Sequence, residues 1–309
     1  MTADRIREII ARVEPDRLRE HVLYLAQDPL PRRTLNFTLP GHDCCTLYEA
    51  DDYIEAQLRS WGYEVEREGV QVQAFRRDRG KPKSSQYSPP QPEDPWYTAY
   101  NLYVRKPGTD VPDETIVTIS HKDSQSWCAS PGANDNGIGT AGNLEIARVL
   151  AEVPTRRRLW CIWCNEEHAP WTSVNAAEGA RARGERIPAV FNVDSLGRKA
   201  PADTRAGRRK NVTLYTTPEG EALADLMAEM NERYELGIEQ RKHQRNAPGD
   251  DDGSFVKAGY GAAIMNLGSY PYADPCYHCE CDVPANCDFE NAALVVRATI
   301  AAMLTLDGR

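Results

Sequence analysis

The chain has 309 residues, of which 41% are hydrophobic and 27% are charged, a composition typical of globular proteins and not of disordered or fibrous ones. Its 37 Lys and Arg residues against 46 Asp and Glu residues give a formal net charge of -9 at pH 7, which repels a phosphate backbone. We therefore expect no nucleic-acid partner, and we interpret the short basic clusters at 156–158 and 205–210 as solvated charge.

The first fifteen residues predict an amphipathic helix, in which Ile6, Ile9 and Ile10 are interspersed with charged side chains. This segment lacks the apolar region of a signal peptide, and no stretch elsewhere approaches the roughly 20 apolar residues that cross a bilayer. We expect a cytoplasmic protein with no membrane partner. The nine cysteines, an odd number, favour mostly reduced thiols over a disulfide framework.

Predicted helices and strands then alternate along the chain. In chain order they are helices at 16–27 and 48–61, strands at 63–75, 100–104 and 115–120, a helix at 139–153, a strand at 158–164, a helix at 173–183, strands at 189–193 and 211–216, a helix at 220–234, a strand at 262–267 and a helix at 290–306. This alternation indicates a three-layer α/β/α fold with a mixed, largely parallel central sheet. No repeat or composition break divides the sequence, so we predict a single domain over residues 1–309.

Residues 76–98 interrupt this pattern with a stretch rich in Lys, Ser, Gln and Pro. Such a composition does not build a packed core, and it predicts a long surface loop that is either disordered or a lid. Trp96 and Tyr97 are the side chains of this loop that we expect at the rim of a cleft. The segment is predicted to be dispensable for folding but to affect access to that cleft.

Unusual polar residues follow three of the predicted strands. They are 121–123 (His-Lys-Asp), 165–167 (Asn-Glu-Glu) and Asp194. Because ligands of open α/β sheets bind beyond the carboxyl ends of the strands, this placement predicts a site there. His121 and Asp123 are two residues apart, which is the spacing at which a carboxylate orients a metal-binding imidazole. For this pair alone, ordinary surface structure is the alternative interpretation.

Two further features extend this set. Asp135 lies in a glycine-flanked turn before a predicted helix, where a simple helix cap is the alternative interpretation. The adjacent carboxylates Glu166 and Glu167, at the end of a buried strand, are costly unless a cation neutralises them or one has a raised pKa. Tyr277 and His278 precede the last helix and complete the candidate residues.

With these motifs in this order, the sequence resembles the M28 family of zinc-dependent metallopeptidases, the co-catalytic aminopeptidase group. The resemblance extends from about residue 16 to the C-terminal helix and rests on 121–123, 132–136, 166–167, 192–194 and 277–278, with Asp282 four residues further on. It implies hydrolysis of peptide bonds, above all removal of N-terminal residues from short peptides or small amides, at a site with two zinc ions.

The resemblance also implies a role for each matched residue. The implied zinc ligands are His121 and Asp194 for one ion, Glu167 and His278 for the other, and Asp135 as the bridge between them. Glu166 is the implied general base, Asp123 orients His121, and Tyr277 donates to the oxyanion. A non-proline cis peptide after Asp135 is implied as well.

Three departures from the family pattern are expected to change substrate preference more than catalysis. They are the acidic run 250–252 in place of Ser-Asp-His, the intervening residues 170–173, and Cys279 in place of Thr. Two other functions stay open: a glutaminyl-peptide cyclotransferase-like transferase with one zinc, and a non-catalytic binding protein on the same scaffold. Asn136, where the cyclotransferases usually carry Ser, together with His121 and Asp194 favours the peptidase.

Other reactive and aromatic residues receive weaker interpretations. Cys161 and Cys164 point to opposite faces of a strand and do not share an ion, whereas the cysteines at 276, 279, 281 and 287 are either loop thiols or a zinc or redox cluster. His168 is expected to face solvent or to form a hydrogen bond, with a role as a further proton donor as the alternative interpretation. The aromatic residues that flank the motifs either wall a side-chain pocket or belong to the core, and they are Trp127, Trp171 and Phe255.

Overall fold

The computed structural model describes residues 1–78, 80–83 and 86–309. Its helices are α1 (Ala3–Ile10), α2 (Pro15–Ala26), α3 (Thr46–Ser60), α4 (Ile138–Leu150), α5 (Thr172–Ala182), α6 (Pro201–Arg205), α7 (Pro218–Arg233), α8 (Asp250–Lys257) and α9 (Phe289–Gly308). Its strands are β1 (Glu66–Ala74), β2 (Arg76–Arg77), β3 (Tyr87–Ser88), β4 (Tyr97–Lys106), β5 (Val111–His121), β6 (Arg157–Cys164), β7 (His168–Ala169), β8 (Arg186–Val193), β9 (Lys210–Tyr215), β10 (Glu239–Gln244) and β11 (Ala263–Leu267).

Nine of the strands within these described ranges form one sheet in the order β10-β9-β11-β8-β5-β6-β4-β1-β7. Parallel pairing joins β8, β5 and β6 at the centre, β11 to β8, and β10 to β9. The pairs β9 with β11, β6 with β4, β4 with β1, and β1 with β7 are antiparallel. The predicted mixed sheet is therefore confirmed, but its parallel and antiparallel pairs are equal in number, four of each, and the antiparallel ones lie mainly on the side of β4, β1 and β7.

The central strand β5 has β6 on one side and β8 on the other. The chain passes from β5 to β6 through α4 and from β6 to β8 through α5. Crossovers between parallel strands are right-handed. The first crossover moves from β5 to its neighbour β6, and the second moves in the opposite direction, past β5 to β8. Their helices, α4 and α5, therefore lie on opposite faces of the sheet. The carboxyl ends of all three strands then lie at one edge, where a ligand site is expected.

Successive side chains of β6 point to opposite faces of the sheet, and both faces are covered by helices. Trp160 and Ile162 pack with residues of α5 and α8, whereas Cys161 and Trp163 pack with residues of α3 and α4. The largest apolar cluster joins α1, α2, α4, α7 and α9 on the second of these faces. A sheet with helices on both faces is the three-layer α/β/α fold that the sequence predicts.

Helix α9 (Phe289–Gly308) is long and apolar enough to cross a bilayer, with a mean hydropathy of 1.4 over its most apolar window. The expectation that no stretch of the sequence reaches this length was wrong. Within the fold, 72% of that window is buried, because the helix packs into the largest apolar cluster. It has the environment of the core helix of an α/β protein.

Several elements escaped the sequence pattern, among them β10, α6 and α8. The edge strand β10 (Glu239–Gln244) is built of polar and charged residues and is mostly exposed, so it carries no apolar alternation. Helix α6 is only five residues long. Helix α8 (Asp250–Lys257) begins with three consecutive acidic residues, which favour a helix N-terminus through the helix dipole.

The segment 76–98 contains more structure than a surface loop. Strands β2 and β3 pair within it, and its last two residues already belong to β4. Arg76 forms an ion pair with Asp94 and lies 4.9 Å from the centroid of the Trp127 ring. The interpretation as disordered or a lid also covers residues 79, 84 and 85, which lie outside the described residues.

Candidate metal centre

Five segments bring the candidate residues together beyond the carboxyl ends of the central strands. Strand β5 ends at His121, residues 165–167 follow β6, and Asp194 follows β8. Asp135 lies in the kinked turn at Ala133–Gly137, directly before α4, and its backbone angles (φ -115°, ψ 89°) are not helical. The loop between β11 and α9 supplies 277–278.

Two groups of buried side chains at this edge each offer three ligand atoms, all within 4.8 Å of one another. In the first group, His121 Nε2 lies 3.2 Å from Asp135 Oδ1 and 3.7 Å from Asp194 Oδ2. In the second, His278 Nε2 lies 3.1 Å from Asp135 Oδ2 and 2.9 Å from Glu167 Oε1. All five residues that the sequence suggests as ligands are therefore neighbours in the fold.

Asp135 belongs to both groups and faces each with a different oxygen. Oδ1 is directed at His121 and Oδ2 at His278, which is the arrangement of a carboxylate that bridges two cations. The peptide bond between Asp135 and Asn136 is cis, as predicted. The side chain of Asn136 caps the next turn, because its Oδ1 accepts a hydrogen bond from the Gly139 amide at 2.9 Å.

The buried carboxylate of Asp123 holds two of the segments in place. Its Oδ1 lies 3.2 Å from His121 Nδ1 and accepts a hydrogen bond from the Glu166 amide at 3.0 Å. Its Oδ2 accepts from the Glu167 amide at 2.8 Å and lies 2.7 Å from His168 Nδ1. Burial alone would raise the pKa of Asp123, but these imidazole contacts lower it well below its usual range. The side chain thus stays ionised and orients His121.

His168 forms hydrogen bonds, as expected, and is not among the described residues that line the cleft beside the site. It is fully buried between Asp123 and the hydroxyl of Ser126. This contact supports Asp123 from the side opposite His121.

Asp282 fixes the main chain that carries the bridging residue. Its two carboxylate oxygens accept hydrogen bonds from the amides of Asn134, at 2.8 Å, and Asp135, at 3.0 Å. Burial raises the pKa of Asp282 to about 7. The sequence motif includes Asp282 without a role. Its contacts with the two amides show that it fixes the position of the turn that carries Asp135.

Glu166 lies beside the ligand groups and belongs to neither of them. Its side chain is buried, lines the cleft, and leaves Oε2 without a hydrogen-bond partner within the described residues. Burial, followed by the negative charges of Asp251 and Asp250, raises the pKa of the Glu166 carboxyl well above its usual range. A carboxyl group with a raised pKa and a free oxygen on a cleft is suited to exchange protons with a reacting molecule.

The cleft beside the two ligand groups has a volume of about 980 Å³. Its lining includes the apolar side chains of Leu214, Met265 and Leu267 from β9 and β11 and the aromatic side chains of Trp171, Tyr270 and Tyr272. The cleft is therefore large enough for a small organic ligand next to the candidate metal ligands.

Tyr277 places its ring at the boundary between the cleft and the ligand groups. It stacks on the imidazole of His278, with ring centroids 3.7 Å apart, and lines the cleft. Burial and the charges of Asp135 and Glu167 raise the pKa of the Tyr277 hydroxyl well above its usual range. The hydroxyl remains protonated and is available as a hydrogen-bond donor.

The other aromatic candidates separate into three environments. Trp171 lines the cleft, Phe255 is fully buried in the core, and Trp127 is 44% exposed. Trp96 and Tyr97, expected at the rim, are not among the described residues that line the cleft.

The acidic run 250–252 forms the first turn of α8, and its members differ in environment. Asp251 and Asp252 are fully buried, while Asp250 lines the cleft. Arg245 neutralises two of them, with Nη1 2.7 Å from Asp250 and Nη2 paired with Asp252. Sequence reasoning missed Arg245, although an arginine shortly before three acids was a signal.

The cysteines of the last loop include one disulfide, between Cys276 and Cys281. This pair encloses the segment with Tyr277 and His278, and it rules out the alternative in which these two thiolates belong to a zinc cluster. Within the described residues, Cys279 and Cys287 form no disulfide bond, and neither do five other cysteines. Cys161 and Cys164 lie in different apolar clusters on the two faces of the sheet, as expected.

Comparisons with known proteins agree on one family. The sequence pattern of Peptidase family M28 matches residues 101–303. A probable aminopeptidase of Saccharomyces cerevisiae is 29% identical over 179 residues, which cover 54% of this chain and 46% of that protein. The chain belongs to Peptidase family M28, as its motifs predict, and it spans about half the length of the curated relatives it matches.

Solved structures show the same fold at low sequence identity. An aminopeptidase from Aneurinibacillus sp. strain AM-1 has a TM-score of 0.72 at 16% identity, with 96% of this chain and 95% of the other chain covered. A glutaminyl cyclase from Bacteroides thetaiotaomicron, bound to N-acetylhistamine, has a TM-score of 0.70 at 14% identity, with coverages of 94% and 98%. These similarities confirm the three-layer α/β/α fold.

The residues at the site fit the zinc that the family implies. Imidazole nitrogens and carboxylate oxygens are ordinary zinc ligands. Three carboxylates and two imidazoles, all buried and with their ligand atoms close together, are a costly arrangement for a protein unless cations balance the negative charge. Asp123 supplies the carboxylate that usually supports a metal-binding histidine.

Proposed function

We propose that this chain is a metal-dependent peptidase that removes N-terminal residues from short peptides at a dinuclear zinc site. The observation that carries the proposal is the position of Asp135, whose two oxygens face two separate groups of buried ligands. Membership of Peptidase family M28 supports hydrolysis of peptide bonds. The number of metal ions and the preference for N-terminal residues are parts of the proposal.

In the proposed site, His121 and Asp194 would hold one ion, Glu167 and His278 would hold the other, and Asp135 would contribute an oxygen to each. Two such ions, when bound, lower the pKa of a water molecule and polarise the scissile carbonyl. Side chains of the protein transfer the proton, donate a hydrogen bond to the carbonyl oxygen and orient the ligands.

Glu166 acts as the general base and then as the general acid. Its carboxylate takes a proton from the attacking water and delivers it to the amine that leaves. The tyrosine hydroxyl of Tyr277 donates a hydrogen bond to the carbonyl oxygen as that oxygen gains negative charge, which stabilises the transition state. Asp123 keeps the imidazole of His121 in the orientation that a ligand needs.

The size and lining of the cleft favour a small substrate. The apolar cluster of Leu214, Met265 and Leu267 suits an apolar side chain, and Tyr270 and Tyr272 add aromatic surface to the same cleft. Arg245 and Asp250 add an ion pair to the same cleft. We propose short peptides or small amides as the substrate class.

The proposal is tested by quantifying zinc and then measuring hydrolysis. Purified protein dialysed against zinc should contain about two ions per chain, and it should hydrolyse aminoacyl amides and dipeptides with a free N-terminus but not their N-acetylated forms. N-terminal glutaminyl peptides serve as the discriminating substrates. One zinc ion per chain together with cyclisation of the glutaminyl peptides would instead support the transferase.

Zinc binding should release about two protons per chain at pH 7 and should strengthen as the pH rises. Burial lowers the pKa of each ligand imidazole, but Glu167 and Asp135 raise that of His278 to about 10, and Asp123, Asp135 and Asp194 raise that of His121 well above its usual range. Both imidazoles of the metal-free protein therefore hold a proton at pH 7, which a metal ion must displace. Calorimetric titrations in two buffers of different ionisation enthalpy measure this release, and a value near zero would contradict the expectation.

Lys83 should influence substrate binding without a role in chemistry. Its ammonium donates to the carbonyl oxygens of Tyr272, at 3.4 Å, and Asp274, and these two residues line the cleft. We expect Lys83→Ala to raise KM by about 2- to 10-fold, the effect of losing a solvent-accessible hydrogen bond, with little change in kcat or Tm. Lys81→Ala is the control, because Lys81 pairs with Asp78 on the same segment at 3.6 Å. Equal kinetics of both variants and the wild type would exclude the predicted effect.

A further inference from the structure

Arg33 is a fully buried arginine that lies before the part of the chain matched by the family pattern. Each nitrogen of its guanidinium group donates to the main chain. Nε donates to Lys122 O at 2.6 Å, Nη1 to Leu25 O at 2.5 Å and to Pro131 O at 2.9 Å, and Nη2 to Gly132 O at 2.7 Å. Four carbonyl oxygens thus accept hydrogen bonds from the planar guanidinium, and no carboxylate among the described residues does so.

Two of these carbonyl groups belong to the segments that carry the proposed ligands. Lys122 lies between His121 and Asp123, and Gly132 lies three residues before Asp135. The main chain of Arg33 adds a second link, because its amide donates to Ser124 Oγ at 2.9 Å and its carbonyl accepts from the Ser124 amide at 2.8 Å. Arg33 therefore connects the end of β5 directly to the turn before the bridging residue.

The guanidinium of Arg33 packs closely against Gly132, where a side chain would collide with neighbouring atoms. Gly132 has φ +63°, and a Cβ atom there would lie 3.0 Å from Arg33 Nη2 and 2.6 Å from Asp135 O. Burial lowers the pKa of Arg33 to about 10, and the carboxylates of Asp282, Asp123 and Asp135 oppose that shift. The group consequently keeps its charge at neutral pH.

We propose that Arg33 is a positioning residue of the metal centre, which sets the separation between the His121 segment and the Asp135 segment. This inference rests on the proposed function. The geometric reason is that His121 Nε2 and Asp135 Oδ1, 3.2 Å apart, come from two segments whose carbonyl groups share one rigid planar donor. A lysine carries the same charge but a single nitrogen on a flexible stem, and it does not reproduce this fork.

Arg157 provides a matched control for a purely structural role. It is also largely buried and donates to main-chain carbonyl groups, from Nη1 to Leu306 O at 2.9 Å and to Asp307 O at 3.1 Å. It begins strand β6, whereas the candidate site lies beyond the other end of that strand. Arg157→Lys therefore removes comparable contacts far from the metal ligands.

The experiment compares wild type, Arg33→Lys and Arg157→Lys as full-length chains. For each protein, three quantities are measured: Tm, the affinity for zinc in competition with a chelator of known affinity, and the visible absorption spectrum of the cobalt-loaded form. We expect Arg33→Lys to bind zinc about 10- to 100-fold more weakly and to change the cobalt spectrum. Arg157→Lys should lower Tm and leave both metal readouts unchanged.

The possible results separate the two proposals. Wild-type zinc affinity and cobalt spectrum in folded Arg33→Lys, or an equal loss of zinc affinity in Arg157→Lys, would overturn the positioning role and leave the proposed function intact. A wild-type chain that binds no zinc would overturn both. If Arg33→Lys does not fold, Ser124→Ala, which removes one acceptor of the same connection, should weaken zinc binding in the same direction, and an unchanged affinity would overturn the positioning role.

Discussion

Glu166→Gln should lower turnover by about 10² to 10⁴-fold while the zinc content stays at the wild-type level. Glutamine has nearly the shape of glutamate, but it cannot take a proton from water at neutral pH. Glu166 is not one of the residues in the two ligand groups, so its replacement removes no proposed ligand. Zinc quantification and steady-state kinetics on an aminoacyl amide check both halves of this expectation.

The neighbouring residue provides the control. Glu167→Gln changes the same functional group one position along the chain, but Glu167 belongs to the ligand group of His278. We expect this variant to lose zinc as well as activity. Wild-type turnover in Glu166→Gln would remove Glu166 from the proposed mechanism, and loss of zinc from that variant would reassign it as a ligand.

The location of the site was predictable because it depends on short motifs at strand ends. A buried strand such as 158–164 is recognisable from its apolar run, and the residues that follow it must emerge at the edge of the sheet. His121, Glu167 and Asp194 each follow a central strand in this way or end it, so the order of strands and motifs was sufficient to predict their proximity.

Contacts between distant segments were not predictable in the same way. Arg33 lies 98 residues from Pro131 in the sequence, and an arginine next to another arginine in a Pro-containing stretch looks like surface charge. Arg245 differs from Arg33, because it lies only five residues before Asp250 and seven before Asp252, and this proximity was a signal in the sequence. The disulfide between Cys276 and Cys281 was missed because the odd number of cysteines argued only against a network of such bonds.

The distribution of buried charge explains why the site needs several supporting residues. Asp123, Asp282 and Asp251 are all buried close to the ligand groups, and burial raises the pKa of Asp251 to about 7 and that of Asp282 to about 7. Asp123 and Asp282 accept hydrogen bonds from main-chain amides. Such donors stabilise a carboxylate that has lost its water, and they fix the segments that carry the ligands at the same time.

Asp135→Asn should have the largest effect on metal content. The two carboxylate oxygens of Asp135 face His121 and His278, and asparagine keeps one oxygen and replaces the other with an amide group that cannot bind a cation. The variant also loses a negative charge between two sites that each need one. We expect zinc to fall from about two ions per chain to one or fewer, and turnover to fall by about 10³-fold or more.

Asp194→Asn is the matched comparison for the bridging role. Asp194 contacts His121, at 3.7 Å, and belongs to the first ligand group alone. If Asp135 is shared, Asp194→Asn should weaken one zinc site and leave the other at wild-type affinity, whereas Asp135→Asn should weaken both. Chelator titrations that resolve two binding steps distinguish these patterns. Loss of a single step in Asp135→Asn, with the second at wild-type affinity, would show that Asp135 serves one ion and does not bridge two.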